Sequence, residues 1–231
     1  MQKTREKTRK LVVAGMLSAV TMVLGLTPLG IIPIGPLNAT ILHVPVIIGA
    51  VLEGPVVGFV IGLIFGLFSL YRAAVGGSVL APLFLNPVVT ILPRVLIGPV
   101  AYYVFRGISH LTRKRALSVG AAAVAGTLTN TIGVMGLIFI LYAQQYADLM
   151  GISRQGVGLA ILSASAVNGI PECILAAVMT VAVVLAVWKL TGSGPHSGKS
   201  HSGEPHSGKS HSGEPHSGSA TPPERESPRK G

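Results

Sequence analysis

Between residues 11 and 190 polar side chains are so widely spaced that the chain reads as a series of apolar runs. Six stand out, at about 11–26, 39–52, 55–71, 87–106, 117–143 and 157–189. A bilayer core takes roughly 20 helical residues to cross, so the second run is short and the sixth long for one passage. Each is expected to be a helix, because hydrocarbon offers backbone groups no partner outside the segment. The pattern predicts an all-α membrane protein with six transmembrane helices over 11–190. A basic stretch at 1–10 precedes them and a polar tail at 191–231 follows.

Charge gives the runs a direction. Lys3, Arg5, Lys7, Arg9 and Lys10 precede the first, Arg106, Arg113, Lys114 and Arg115 lie between the fourth and fifth, and Lys189 closes the sixth. The alternate connections hold little: none in 27–38, Arg72 in the third, Arg154 in the fifth. Positive charge collects on the cytoplasmic side, which predicts cytoplasmic N and C termini and an even number of spans.

Composition agrees. Mean hydropathy is +0.63, with only 11 % charged residues against 49 % hydrophobic, too little charge to cover a soluble domain. The net charge of +10 is accounted for by segment ends and does not call for nucleic acid. The single Cys173 excludes an internal disulfide framework and a cysteine metal cluster. No cleavable signal peptide is evident, since 11–26 is followed by further spans.

Two low-information stretches need separating from the rest. From Pro195 the unit Pro-His-Ser-Gly-Lys-Ser-His-Ser-Gly-Glu repeats, placing His196, His201, His206, His211 and His216 five apart. This reads as a disordered low-complexity tail. Within it Gly203 to Ser210 matches a phosphate-loop pattern, but no strand or helix flanks it, so the match is accidental. Asn38-Ala-Thr40 matches a glycosylation pattern and abuts an apolar run, so it carries no weight. By contrast, 27–38 is apolar yet rich in Pro and Gly. Such a stretch is expected to fold back as a cap rather than stay solvated.

The chemistry rests on the few polar groups inside the spans: His43, Arg94, Asn130, Asn168 and Glu172. Arg94 lies about seven residues into the fourth run, roughly 10 Å at a rise of about 1.5 Å per residue. An arginine at a helix centre is unfavourable by roughly 2.5–3.5 kcal/mol on insertion scales, so it needs a partner. Asn168 and Glu172 share a helix face, four residues apart, with Pro171 between them. Asn130 sits among Thr127, Thr129 and Thr131. One reading is a pocket on the fourth to sixth helices, Arg94 gripping a ligand carboxylate bidentately, Asn130 and Asn168 bonding amide and hydroxyl groups, and Thr90 and His43 completing the set. The other is an Arg94–Glu172 ion pair, with the asparagines joining helices and His43 a hydrogen-bonded core residue. Glycines at 54, 58, 62 and 66 form a smooth stripe suited to packing in the bundle, and Gly15 and Ala19 form a second.

These residues resemble a known family. The stretch from Thr27 to Pro55 is similar to the substrate-binding S components of energy-coupling factor (ECF) vitamin transporters. So are Gly62-Leu-Ile-Phe-Gly66-Leu, Asn86-Pro87, Leu92-Pro93-Arg94-Val-Leu-Ile-Gly98 and Asn168-Gly-Ile-Pro171-Glu172. The similarity covers about 8–190, and the branch it resembles most holds the pantothenate-specific members. It implies a six-helix fold with the ligand near the outer face under the first loop. It implies a binding subunit of the cell membrane that is no enzyme and needs no cofactor. Its partners would be a membrane coupling subunit and two ATPase subunits, and it would topple in the membrane to release its cargo. The family's Ala-x-x-x-Ala docking motif corresponds here to Gly15-Met-Leu-Ser-Ala19. Pantothenate, a carboxylate with an amide and two hydroxyls, suits one arginine and two asparagines. A flavin or thiamine would call for stacking surfaces, and Trp188 lies at the wrong end, although Tyr71 and Tyr142 remain candidates for the outer mouth. Alternatives are an S component for riboflavin, a folate-like compound or another small molecule, or a solitary secondary transporter, which the absence of inverted repeats argues against. An intramembrane hydrolase lacks paired aspartates and a serine within reach of His43.

Overall fold

The computed structural model describes residues 2–27, 30–34, 37–76, 79–112 and 114–191. The repeat tail, expected to be disordered, lies outside them. Eight α-helices occur among the described residues: α1 (Gln2–Leu26), α2 (Val44–Glu53), α3 (Pro55–Val75), α4 (Ala81–Phe84), α5 (Pro87–Thr90), α6 (Leu92–Leu111), α7 (Arg115–Met150) and α8 (Val157–Thr191). A β-hairpin joins α1 to α2, formed by β1 (Ile31–Ile34) and β2 (Leu37–Thr40). A 3₁₀ turn, Arg154–Gly156, leads into α8.

Five helical stretches are long and apolar enough to cross a membrane: Thr4–Leu26, Pro55–Val75, Pro87–Leu111, Arg115–Met150 and Arg154–Thr191. Of the six expected spans, the second has no single helix long enough to cross among the described residues. Residues 39–52 do not form one spanning helix. Their start belongs to β2, and α2 is only ten residues long. Pro45 falls in its first turn, the helical position that tolerates a missing N–H. The all-α expectation holds for the spans, and at this one place a short hairpin interrupts the helices. The strands pair antiparallel, with Ile31 opposite Thr40 and Ile34 opposite Leu37, so their backbone groups find partners in one another.

The glycine stripe of α3 does what its spacing predicts, at three of its four positions. A Cβ on Gly58 would lie 2.8 Å from the Gly98 Cα, one on Gly62 2.3 Å from the Arg94 carbonyl oxygen, and one on Gly66 3.0 Å from the Ile91 Cα. Backbone therefore packs on backbone between α3 and α6. Gly54 has another task. Its φ of 102° lets the chain break between α2 and α3, a conformation that L side chains resist. Ile47, Ile61 and Ile97 fill the space between α2, α3 and α6, each fully buried. A second apolar cluster, around Leu83, Val89, Val134 and Ile138, seats α4 and α5 against α7. α7 is helical over 36 residues but kinks at Tyr142, with φ −134° and ψ 23°.

Candidate functional site

Arg94 stands in the first turn of α6, where the close approach of Gly62 to its carbonyl fixes the backbone. The side chain is 8 % exposed. Its Nη1 donates to the Val89 carbonyl at 3.1 Å, and its Cζ lies 5.8 Å from the ring centroids of both Phe65 and Phe84. Aromatic faces attract a cation without neutralising it. Nε is buried with no hydrogen-bond partner. The Arg94–Glu172 ion pair weighed from the sequence is absent. Among the described residues the ion pairs are Arg9–Glu53 and Lys10–Glu6.

Glu172 is instead occupied by the hairpin. Its Oε1 accepts hydrogen bonds from the Thr40 backbone N–H and from the Thr40 hydroxyl, both at 2.9 Å. The last residue of β2 is thereby tied to the middle of α8. The first loop, 27–38, expected to fold back as a cap, contributes β1 and the start of β2 to this hairpin, and residues 28–29 and 35–36 lie outside the described residues.

A cavity of about 480 Å³ opens between β2, α6, α7 and α8. Arg94, Asn130, Asn168 and Glu172 all line it, with Thr40 and Thr131 beside them. The sequence-derived set thus converges in four of its six members. Asn130 Oδ1 is buried without a partner, and Asn168 Nδ2 donates to the Ala164 carbonyl at 3.0 Å, one turn back on its own helix. The remainder of the wall is apolar, from Phe84, Val134, Met135 and Ala164. A cation without a counter-ion, an acceptor without a donor and a wall that mixes polar with apolar side chains suit a small anionic molecule with hydrogen-bonding groups.

Two expected residues lie elsewhere. Thr90 is fully buried, and its hydroxyl donates to the Phe84 carbonyl, which holds α4 against α5. His43 is fully buried with Nε2 2.9 Å from the Thr127 hydroxyl oxygen. That hydroxyl donates to the Ala123 carbonyl, so the ring nitrogen supplies the proton of the His43–Thr127 bond. Neither side chain lines the cavity. Nor do Tyr71 and Tyr142. The Tyr142 hydroxyl, at the kink of α7, accepts a hydrogen bond from Asn86 Nδ2 at 2.8 Å, while Asn86 Oδ1 caps α5 by accepting from Val88 N–H.

Phe65, Phe84 and Thr40 were not legible as site residues. Phe65 had a faint signal, three residues after Gly62 and so on the α3 face that meets Arg94. Phe84 and Thr40 had none, because a short loop helix and a strand end carry no periodicity that points inward.

Gly15 and Ala19 lie on an exposed face of α1. A Cβ on Gly15 would meet nothing within 4 Å, so the bundle itself makes no use of this stripe.

Comparison with known proteins bears on all of this. The model of the family described as ECF transporter, substrate-specific component, matches residues 9–184. The pantothenic acid transporter PanT of Lactococcus lactis subsp. cremoris is 30 % identical over 168 residues, covering 67 % of this chain and 80 % of that protein. The pantothenate transporter PanT of Leuconostoc mesenteroides subsp. mesenteroides is 29 % identical over 190 residues, covering 78 % of this chain and 92 % of that protein.

Proposed function

This chain belongs to the family of ECF transporter substrate-specific components, and we propose that pantothenate is the molecule its cavity captures. It is a multi-pass membrane protein and a transport subunit. The observation that carries the substrate reading is Arg94, buried without a carboxylate partner at the wall of a cavity that also presents Asn130 and Asn168. Its planar fork matches a carboxylate. The free acceptor on Asn130 suits an amide N–H or a hydroxyl donor, and pantothenate supplies both. The names of the two relatives support the same reading.

Under this reading the termini are cytoplasmic, and the hairpin and the cavity face outward. Import is completed by a membrane coupling subunit and two ATPase subunits, with the exposed Gly15–Ala19 face of α1 as the surface offered to the coupling subunit. The decisive experiment is to purify the protein, identify any co-purifying small molecule by mass spectrometry, and titrate the emptied protein with pantothenate in a calorimeter. Saturable binding of one molecule per chain is the expected result. Absence of binding, or a retained flavin, would overturn the assignment.

A further inference from the structure

Arg94 and Phe84 belong to two cavities. Besides the one described above, a space of about 360 Å³ lies between the end of α1, the C-terminal half of α3 and α4, and both residues line it too. This second space also takes in Ser69, Arg72 and Ala73, spaced three and four apart on one face of α3, with Gly25 of α1 opposite. Arg72 is exposed, and its Nη1 donates to the Gly25 carbonyl at the end of α1. The second cavity therefore runs from an exposed cation to a buried one, past walls that are otherwise mostly apolar. Phe84 stands where the two spaces meet. Its backbone is held by the Thr90 hydroxyl, which leaves the ring as the movable part.

We propose that this second cavity is the access route for the ligand carboxylate, with Arg72 as its outer capture site and Arg94 as its destination. The proposal rests on the reading that the first cavity holds a carboxylate vitamin. Two features favour this path over the hairpin side. Passage beneath the hairpin breaks both Thr40–Glu172 hydrogen bonds, whereas passage here requires the Phe84 side chain to turn. An anion moving inward is also never far from a guanidinium, at the mouth from Arg72 and at the inner end from Arg94. A cleft lined by one sign of charge raises association rates, and the gain falls with ionic strength.

A route and a bound contact differ kinetically. A residue that helps only along the path lowers the barrier for arrival and departure alike, so removing it slows both and leaves the equilibrium unchanged. A residue that touches the bound ligand acts on dissociation. The test uses the full-length protein in lipid nanodiscs, with radiolabelled pantothenate and rapid filtration. Arg72→Gln and Ala73→Trp are expected to slow association and dissociation together, by about tenfold, with Kd held within about threefold. Arg72→Lys is expected to restore both rates. Raising ionic strength is expected to slow association in the wild type more than in Arg72→Gln. Unchanged association in both variants would overturn the route. A weakened Kd carried by faster dissociation would also overturn it, making the second cavity part of the bound site. Failure of the wild type to bind pantothenate would be a different result, removing the carboxylate reading itself and this route with it.

Discussion

The Glu172 carboxyl group accepts two hydrogen bonds from Thr40, one from its backbone N–H and one from its hydroxyl, across 132 positions of sequence. Glu172 thus holds the hairpin in place, and Arg94 is left unpaired for a ligand. Glu172→Gln keeps an acceptor oxygen at the same place, so pantothenate dissociation is expected to stay within about threefold of wild type. Glu172→Leu removes the acceptor of both bonds. Hydrogen bonds to such a group contribute about 1.5–3 kcal/mol, so dissociation is expected to quicken by at least about tenfold. Filter-binding chase experiments on the two variants provide the comparison.

Arg94→Ala is expected to abolish tight binding. Truncating one member of a buried charge pair typically costs about 2–5 kcal/mol, or roughly thirtyfold and upward in Kd. Arg94→Lys is expected to recover little of it, since an ammonium group cannot offer two parallel N–H donors to one carboxylate. Titration calorimetry decides the point. An affinity unchanged by Arg94→Ala would remove the carboxylate clamp.

Gly62 and Gly15 make a matched pair of controls. A methyl group at Gly62 would press on the Arg94 carbonyl, while one at Gly15 meets open space. Gly62→Ala is expected to lower thermal stability, by about 1–3 kcal/mol, and to weaken ligand binding by displacing α6. Gly15→Ala is expected to change neither quantity. Thermal unfolding in detergent followed by circular dichroism, alongside calorimetry, reads both.

The exposure of Gly15 leads to a separate expectation. Gly15→Leu is expected to leave pantothenate affinity of the isolated subunit unchanged. Vitamin uptake by cells carrying the coupling and ATPase subunits is expected to fall to background, because close approach of a partner helix requires a small residue there. Undiminished uptake would place the docking face elsewhere.

His43 calls for the opposite pattern. It is sealed inside the bundle with Thr127 as its partner. Thr127→Val leaves a buried N–H without an acceptor, which costs about 1–3 kcal/mol of stability. Its Kd for pantothenate is expected to stay within about threefold of wild type. A large loss of affinity with unchanged stability would return His43 to the ligand site.

Much of this was readable in the chain, for identifiable reasons. The runs around α1, α3, α6, α7 and α8 were visible because a bilayer demands long apolar helices and tolerates little else. Arg94, Asn130, Asn168 and Glu172 stood out because polar groups in such runs are costly and therefore few. In the structure these four line one cavity. The partner of Glu172 did not stand out, because Thr40 sits at a strand end in a segment whose Pro and Gly content announces irregularity without specifying its form. His43 and Thr90 satisfy buried neighbours and do not line the cavity. Whether such a group turns toward a cavity or satisfies a neighbour depends on one side-chain torsion, and residue spacing carries no record of that.

The shortness of α2 has one more consequence. At about 1.5 Å per residue a ten-residue helix covers roughly 15 Å, about half of a hydrocarbon core. The chain before this helix is a pair of short strands whose last residue, Thr40, is bonded to Glu172 of α8. On that side the cavity is bounded by Thr40 at a strand end and not by a helix. Where a full-length helix would have continued, the protein has a fastened wall, with Thr40 bonded to Glu172, and the way in lies on the other side, past Phe84.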